Sequence, residues 1–312
     1  MKKVFVLSFF LFFTFLASLA TLLVFKTSKT FSFSVSNVNS LDITKDRWNV
    51  LVLGNRGKKA PSGGALTDSI ILLSYQKSSK TLGIFSFPRD LWVKIQKNQW
   101  SKLNTAYVIG EERGRGQGLV LAKKVVEEIS GVNIDGVVLI DIEGVKELVD
   151  LLGGIEIEEN RSFQANFYGH LVKIHPGKNL LNGSQTLAYI GSRNLPGADF
   201  GRMRRQQKVL LALKDKIFSL NLLLRPDKVW KILSVLERHI ETDIPFSQAI
   251  SNLPFLSSLS VEKTVTVVFD TSNYLYHPPN DWRGYILLPK EGAGKYSQIQ
   301  KAIEEVFEKE NL

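Results

Sequence analysis

A chain of 312 residues with 44% hydrophobic residues can bury a substantial core, which argues against a disordered protein. It contains no cysteine, which excludes disulfide frameworks, thiolate catalysis and cysteine-ligated metal sites. The 40 lysines and arginines exceed the 30 aspartates and glutamates by ten, a surplus that suits an anionic partner or serves solubility alone.

The first predicted element is a membrane helix. Residues 4–25 carry no charge, and a helix of that length measures roughly 33 Å, enough to cross the hydrocarbon core of a bilayer. Lys2 and Lys3 precede it, which predicts a cytoplasmic N-terminus and an extracytoplasmic remainder. A cleaved signal peptide ending near Ser18-Leu19-Ala20 would export the chain equally. We expect residues 1–26 to be an anchor in the cell membrane, with a single pass.

Next comes a main domain at 47–219, reached through an extracytoplasmic stalk at 27–46 that is rich in Ser, Thr and Asn. Short β-rich runs predict strands at 48–53, 69–75, 81–87 and 136–140. Apolar periodicity predicts helices at 118–130, 142–152, 184–192 and 201–219. Strands that alternate with helices indicate a layered α/β domain with a central sheet.

The rest of the chain is less regular in its pattern. Residues 159–180 are predicted to be irregular. Beyond Pro226 the patterns predict helices at 227–240 and 246–257, strands at 263–269 and 284–288, and a last helix from 295. We assign residues 220–312 to a C-terminal extension that packs on the main domain or continues it.

A basic, glycine-rich stretch opens the helix predicted at 118–130. It reads Arg113-Gly114-Arg115-Gly116-Gln117-Gly118. Backbone amides at a helix start can hold a phosphate, and a plain surface loop has the same composition, so both interpretations stay open.

Four short segments place charged or amide side chains at the ends of apolar elements, where sites in α/β folds usually gather. Their key residues are Asp68, Arg89 with Asp90, Asn104, and Asp199 at the start of a helix. Taken singly, each also suits a structural role: a turn former, a turn with a surface ion pair, a helix cap and an N-cap.

The arginines at the start of the helix predicted at 201–219 suggest a common purpose. Arg202, Arg205 and Gln206 are three and four residues apart, so they share one face near the positive end of the helix dipole. The guanidinium fork matches phosphate oxygens, so these arginines together with Arg89 and Arg193 could bind a pyrophosphate. A basic amphipathic helix face explains the spacing equally well.

The ordered segments resemble a known family. They are Asp68, Ser86-Phe87-Pro88-Arg89-Asp90, Lys102-Leu103-Asn104, Leu187-Ala188-Tyr189 followed by Arg193, and Asp199-Phe200-Gly201-Arg202 followed by Arg205-Gln206-Gln207. In this order and spacing they are similar to the LytR-CpsA-Psr family of cell-wall glycopolymer transferases. The resemblance runs from about Trp48 to Ile217, with a weaker similarity at 284–289.

The resemblance implies a three-layer α/β/α domain with a central mixed sheet and an apolar cavity for a polyprenyl chain. It implies a phosphotransferase that moves a glycopolymer from a polyprenyl-pyrophosphate carrier to a hydroxyl of the peptidoglycan acceptor, beside Mg²⁺ or Mn²⁺. By motif, Asp68 would ligate the metal, and the catalytic residues would be Asp68, Arg89 and Arg202. Pyrophosphate would be bound by Arg89, Arg193, Arg202, Arg205 and Gln206, and Asn104 and Asp199 would support the neighbouring loops.

This chain departs from the family pattern in the loop after its first strand, near Gly54, where members commonly carry a second acid. From Arg47 to Thr67 there is no aspartate or glutamate. Leu66 and Gly191 stand where arginines are usual. Either one carboxylate suffices for the metal, or Arg56 or Lys58 replaces part of its charge, or transfer activity has been lost.

Three alternatives use the same residues or the same charge. A protein could bind polyprenyl pyrophosphate or wall polymer without turnover, or it could hydrolyse the lipid pyrophosphate with water as acceptor. Nucleic-acid binding would require a cytoplasmic domain and a recognisable reading element, and the sequence shows neither, so we expect no nucleic acid among the partners.

Overall fold

The computed structural model describes residues 42, 44–57, 64–219, 226–244 and 261–308. The anchor predicted at 1–26, most of the stalk predicted at 27–46 and the helix predicted at 246–257 lie outside these residues. Within the described ranges, no helix has the length and apolar character needed to span a membrane.

The strands of the described residues are numbered in chain order. They are β1 Arg47–Asn55, β2 Thr67–Gln76, β3 Thr81–Ser86, β4 Trp92–Gln96, β5 Gln99–Lys102, β6 Gly136–Asp141, β7 Ile155–Glu159, β8 Phe163–Phe167, β9 His170–Ile174, β10 Gly177–Leu181, β11 Ile240–Thr242, β12 Lys263–Val268, β13 Leu275–Tyr276 and β14 Leu288–Pro289. The strands predicted at 48–53, 69–75, 81–87, 136–140 and 263–269 are therefore confirmed within a few residues.

The described helices follow the sequence pattern closely, except the first, which the sequence did not predict. They are α1 Ala106–Glu111, α2 Gln117–Ser130, α3 Ile142–Leu151, α4 Gly183–Gly191, α5 Ala198–Ser219, α6 Pro226–His239 and α7 Ser297–Glu304, with a short 3-10 turn at Leu103–Thr105. The long helix α5 begins three residues before the predicted start, so Asp199 lies in its first turn.

The chain divides into two compact units. The described residues of the first lie within 35–139 and 261–312, and we call it the sheet unit. The described residues of the second lie within 140–260, and we call it the hairpin unit.

Five strands of the central sheet lie in the sheet unit, in the order β6-β1-β2-β3-β12. β2 runs antiparallel to β1 and to β3, and β12 runs parallel to β3. Every residue of β3 is buried, as expected for a strand that is covered on both faces. The predicted mixed α/β fold with a central mixed sheet is confirmed.

The antiparallel pairing brings three strand ends to one edge of the sheet. The end of β1 pairs with the start of β2, where Asn55 lies opposite Thr67. The end of β3 also lies beside the start of β2, where Ser86 is opposite Ile71. Residues that follow β1 and β3 therefore meet residues that begin β2.

The segment near residue 287 holds the loop that follows β3. The amide of Leu287 donates to the carbonyl of Asp90 at 2.9 Å, and the amide of Trp92 donates to the carbonyl of Leu287 at 2.9 Å. The strand predicted at 284–288 is wrong in extent: β14 covers only Leu288–Pro289, which pairs with β13. Leu287 adds a single bridge to Leu91.

The hairpin unit contains α3 to α6, β11 and two two-stranded sheets. β7 pairs with β10 and β8 pairs with β9, all antiparallel. The prediction of an irregular region at 159–180 is therefore wrong. These strands are only five residues long, but β7 and β8 alternate apolar and polar side chains, which is the period-2 signal of a half-buried strand that the prediction overlooked. The helix α4 packs against β8 and β9, and α6 packs against α3.

Candidate functional site

Asp68 lies at an irregularity in the β1–β2 pairing. Gly54 pairs with Ser69 and Asn55 pairs with Thr67, so Asp68 is an extra residue on β2. Such a bulge turns a side chain away from the regular pleat and is common beside functional sites. The bulge places the Asp68 carboxylate at the edge where β1 and β3 end.

Two arginines hold the Asp68 carboxylate. Arg89 Nη1 lies 2.7 Å from Oδ1, and Arg56 Nε lies 3.4 Å from Oδ2. The three side chains are mostly buried, with between 13% and 19% of their surface exposed. Such partial burial weakens screening by solvent, so the charges interact more strongly than a surface pair would.

Two further charged side chains extend this group, which we call the Asp68 cluster: Arg56, Asp68, Arg89, Asp90 and Lys102. Lys102 Nζ lies 2.7 Å from Asp90 Oδ1, and Arg89 Nε lies 3.4 Å from Asp90 Oδ2. Three cations face two carboxylates, which leaves one net positive charge at the ends of β1 and β3. A group with this balance attracts an anion.

Asn104 ties the loops of the Asp68 cluster together through its backbone. Its amide donates to the carbonyl of Arg89 at 3.1 Å, and its carbonyl accepts from Thr67 Oγ1 at 3.3 Å. The side chain is buried, and its Oδ1 has no hydrogen-bond partner among the described residues. The backbone of Asn104 therefore fixes the spacing between the segments that carry Asp68 and Arg89.

The residues around Asp68 do not fit the predicted Mg²⁺ or Mn²⁺. Mg²⁺ prefers carboxylate oxygens, and both oxygens of Asp68 already face guanidinium groups. The amide oxygen of Asn104 carries no formal charge and cannot offset the repulsion between two arginines and a divalent cation. Within the described ranges, no group of three or more His, Cys, Asp or Glu side chains is arranged to hold a metal ion.

In the hairpin unit, the start of α5 carries an ion pair between neighbouring turns. Arg202 Nη2 lies 2.9 Å from Asp199 Oδ1, and only 4% of the Arg202 side chain is exposed. Gly201 lies between them, and a Cβ at this position would come within 2.4 Å of the carbonyl oxygen of Pro196. The close approach explains why glycine stands in the Asp199-Phe200-Gly201-Arg202 motif.

Arg205 contacts the end of α4. Its Nε donates to the carbonyl of Tyr189 at 2.6 Å, and its Nη2 donates to the carbonyl of Ser192 at 2.5 Å. The last carbonyls of a helix lack partners within the helix, so this guanidinium acts as a cap. Burial lowers the pKa of Arg205, and the nearby Tyr189 and Glu159 partly offset that effect.

Tyr189, whose carbonyl accepts from Arg205, also uses its hydroxyl as a donor. Its hydroxyl donates to Glu159 Oε1, which also lies 2.9 Å from Lys208 Nζ. Burial raises the pKa of Tyr189 above its ordinary value of 10.0, and the hydrogen bond to Glu159 raises it further. The phenol therefore stays protonated at neutral pH and serves as a donor inside the unit.

The structure brings together some of the predicted site residues. Asp68, Arg89 and Asn104 meet in the sheet unit, while Asp199 meets Arg202 in the hairpin unit. In the same unit, Arg205 is directed to backbone carbonyls, Gln206 is half-buried and Arg193 is exposed. The functional roles assigned to these residues stay predictions.

Sequence reasoning assigned no site role to Asp90 or Lys102, two members of the Asp68 cluster. Asp90 and Lys102 stand inside quoted motifs, and their pairing depends on the β4–β5 hairpin, which the sequence did not predict. Arg56 was named only as a substitute for metal charge. Its signal is its position directly after β1, opposite the start of β2.

The glycine-rich stretch before α2 forms a turn rather than an open anion cradle. The amide of Gly118 donates to Glu111 Oε1 at 2.9 Å, and the amide of Gln117 donates to the carbonyl of Gly114 at 3.1 Å. A carboxylate of the chain itself thus occupies the first turn of α2. The surface-loop interpretation fits this geometry better than phosphate binding.

Comparison with known proteins gives one family. The model described as the LytR_cpsA_psr family matches residues 21–298. The chain is 30% identical over 200 residues to the regulatory protein MsrR of Staphylococcus aureus, covering 64% of this chain and 57% of MsrR. It is 32% identical over 205 residues to the polyisoprenyl-teichoic acid–peptidoglycan teichoic acid transferase TagU of Enterococcus faecalis, covering 65% of this chain and 63% of TagU.

Solved structures agree with the fold. A LytR-CPS2A-psr family protein, YwtF (TagT), solved with bound octaprenyl pyrophosphate lipid, has a TM-score of 0.59 and 23% identity, covering 88% of this chain and 95% of that one. At this identity the likeness shows the fold alone. The matched part of this chain spans less than two thirds of the length of MsrR or TagU.

Proposed function

The chain belongs to the LytR-CpsA-Psr family, and we propose that it is an extracytoplasmic phosphotransferase of cell-envelope assembly. In this proposal it moves a glycopolymer from a polyprenyl-pyrophosphate carrier to peptidoglycan and forms a phosphodiester link. Family membership and the printed activity of TagU, a teichoic acid transferase, support the reaction class. A single N-terminal anchor in the cytoplasmic membrane would keep the domain beside the lipid carrier.

The observation that carries the proposal is the Asp68 cluster. Its net positive charge lies at the ends of strands, and guanidinium groups bind phosphate oxygens through paired hydrogen bonds. Phosphoryl transfer requires mainly positioning and charge neutralisation, so a site of arginines without a nucleophilic side chain suits it.

The proposed step is a displacement at phosphorus. The oxygen of the acceptor hydroxyl forms a bond to the phosphorus next to the sugar, and the bond from that phosphorus to the bridging oxygen breaks. Polyprenyl phosphate leaves with the bonding electrons, and the hydroxyl proton passes to solvent. Arg89 would neutralise the phosphate oxygens, and the roles assigned from the sequence to Arg193, Arg202, Arg205 and Gln206 stay predictions. Because the donor set does not fit a metal, no step is assigned to one.

Activity can be tested with the full chain in detergent. The donor is a farnesyl-pyrophosphoryl disaccharide, the acceptor is a soluble peptidoglycan fragment, and mass spectrometry detects farnesyl phosphate and the glycan phosphodiester. We expect both products from the wild type and from Arg161→Gln, an exposed arginine in the hairpin unit, and a loss of about tenfold or more from Arg89→Gln.

Other results would contradict transfer in informative ways. Farnesyl phosphate released without acceptor would indicate a lipid pyrophosphatase. Tight binding of the donor without product would indicate a protein that binds the carrier without turnover, an outcome that the missing second acid makes worth testing. Absence of both binding and product would overturn the proposal.

A further inference from the structure

We propose that this chain binds pyrophosphate without a divalent cation, with Arg56 supplying the charge expected from the metal. The inference rests on the proposed function, because it concerns the same pyrophosphate. It changes the role of Asp68 from metal ligand to positioning residue, which orients two guanidinium groups.

The position of Arg56 in the chain is the first observation. It lies two residues after Gly54, in the loop where the family resemblance predicts a second acid, and no acid occurs from Arg47 to Thr67. An acidic side chain at this point would add a ligand for a cation. Arg56 instead brings a cation of its own, with five N–H donors in a fixed plane.

The backbone holds Arg56 in place. Its amide donates to the carbonyl of Gly64 at 3.1 Å, on the far side of the loop. Gly57 follows with a φ of 83°, and its amide donates to Asn55 Oδ1 at 3.0 Å. A φ in this range favours glycine, so the turn after Arg56 is built into the sequence. The guanidinium is therefore directed to Asp68 by a defined turn.

The site reaches the same net charge without a metal as a site with two acids would reach with one. One divalent cation, one arginine and two carboxylates would together carry a single positive charge. Arg56, Arg89 and the one carboxylate of Asp68 also carry a single positive charge. Arg56 in place of an acid thus removes a metal ligand, and it gives the site without a metal the same net charge as the site with one.

The contacts of Asp68 favour binding of an anion over binding of a cation. A metal at Asp68 would have to displace Arg89 or Arg56 from the carboxylate and would then lie beside both positive charges. A pyrophosphate would be attracted by both arginines while Arg89 kept its hydrogen bond and Arg56 its ion pair with Asp68, because each guanidinium has further donors. The Asp68 carboxylate would then fix the orientation of both guanidinium groups relative to the phosphates.

Calorimetry of farnesyl pyrophosphate binding to the full chain in detergent tests the inference. We expect the dissociation constant in EDTA to agree with that in Mg²⁺ within about threefold. Arg56→Asp should weaken binding in EDTA by about tenfold to hundredfold, and Mg²⁺ should restore most of the loss. Arg161→Asp is the matched control: it changes the net charge equally on an exposed side chain and should shift affinity about twofold or less.

A second measurement needs no lipid and no activity. Electron paramagnetic resonance should show no Mn²⁺ site that depends on Asp68 in the wild type, whereas Arg56→Asp should gain one that Mg²⁺ competes for. Arg56→Gln serves if Arg56→Asp fails to fold, and it should lose affinity in EDTA without any gain from Mg²⁺.

The possible failures are distinguishable. Wild-type binding that disappears in EDTA and returns with Mg²⁺, or Mn²⁺ bound by the wild type and lost in Asp68→Asn, would overturn this inference and leave the proposed function intact. If farnesyl pyrophosphate fails to bind under either condition, the proposed function fails and the inference fails with it.

Discussion

Arginines of the two units look alike in sequence and differ in what they bind. In the sheet unit, Arg56 and Arg89 contact a side-chain carboxylate at strand ends. In the hairpin unit, Arg205 contacts two backbone carbonyls at the end of α4. A phosphate can share or replace a carboxylate partner, but buried carbonyls that lose their donor are left unsatisfied. The partner therefore separates an arginine that can serve a ligand from one that serves the fold.

Arg205→Gln tests whether Arg205 serves the fold, and it should have the largest effect on stability. The substitution removes the donors to Tyr189 and Ser192, and we expect a loss of about 2–4 kcal/mol in the free energy of unfolding. Urea denaturation measures the loss, with Arg161→Gln as the control. Normal stability combined with lost farnesyl pyrophosphate binding would instead make Arg205 a pyrophosphate ligand, as the sequence predicted.

Arg89→Gln should show the opposite behaviour. Because Arg56 still faces Asp68 and Lys102 still faces Asp90 in the variant, we expect the free energy of unfolding to fall by about 1–2 kcal/mol, less than in Arg205→Gln. Affinity for farnesyl pyrophosphate should fall by about tenfold to hundredfold as charge-assisted hydrogen bonds are lost. A variant that unfolds easily and binds normally would place Arg89 with Arg205 as a structural arginine.

Alkaline pH should lower the free energy of unfolding through Tyr189. The pKa of its phenol is raised in the folded chain above 10.0, so above pH 10.0 the unfolded state releases a proton that the folded state keeps. Stability that is fully present below pH 10.0 is then lost as pH rises, with a limiting slope of about 1.4 kcal/mol per pH unit. Urea denaturation at several pH values gives the free energy of unfolding for Tyr189→Phe and for the wild type. It should fall less steeply with pH in Tyr189→Phe, and an equal dependence on pH in both proteins would contradict the assignment.

Arg193→Gln should have the smallest effect. Arg193 is exposed, so we expect little change in the free energy of unfolding, about 0.5 kcal/mol or less. If it contacts pyrophosphate, solvent limits the contribution, and affinity should fall by about twofold to fivefold. Calorimetry compares the loss of affinity in Arg193→Gln with the loss in Arg89→Gln. Equal losses would show that the solvent exposure of an arginine does not predict its contribution to binding.

The central strands could be predicted from sequence because their apolar runs are long and uninterrupted. The β1, β2 and β3 runs and the helix α2 lie within a few residues of the predicted bounds. The β8–β9 hairpin was missed, since its two strands are only five residues long and form an isolated two-stranded sheet. The alternation of apolar and polar residues in Phe163–Phe167 indicates a strand, but over so few residues it does not identify the partner strand.

The candidate site was predictable in its residues and less so in its contacts. Asp68, Arg89 and Asn104 were named from motifs, and the Asp68–Arg89 pair depends on β2 being antiparallel to β3. The register that leaves Asp68 as an extra residue is a long-range property, so the contact with Arg56 could not be read from spacing. Helical spacing placed Arg202 and Arg205 on one face but gave no sign that Arg205 is directed to α4.

The parallel pairing of β12 with β3 also has a consequence for how the chain is made. Residues 81–86 acquire their outer neighbour only when residues 263–268 have been synthesised, about 180 positions later. Until then β3, all of whose residues are buried in the finished fold, has one open edge that can pair with other chains. A product that stops before residue 263 should therefore aggregate or be degraded, and a chaperone that protects the growing chain would have to cover β3 until the last part of the protein, from residue 263 onward, has been made.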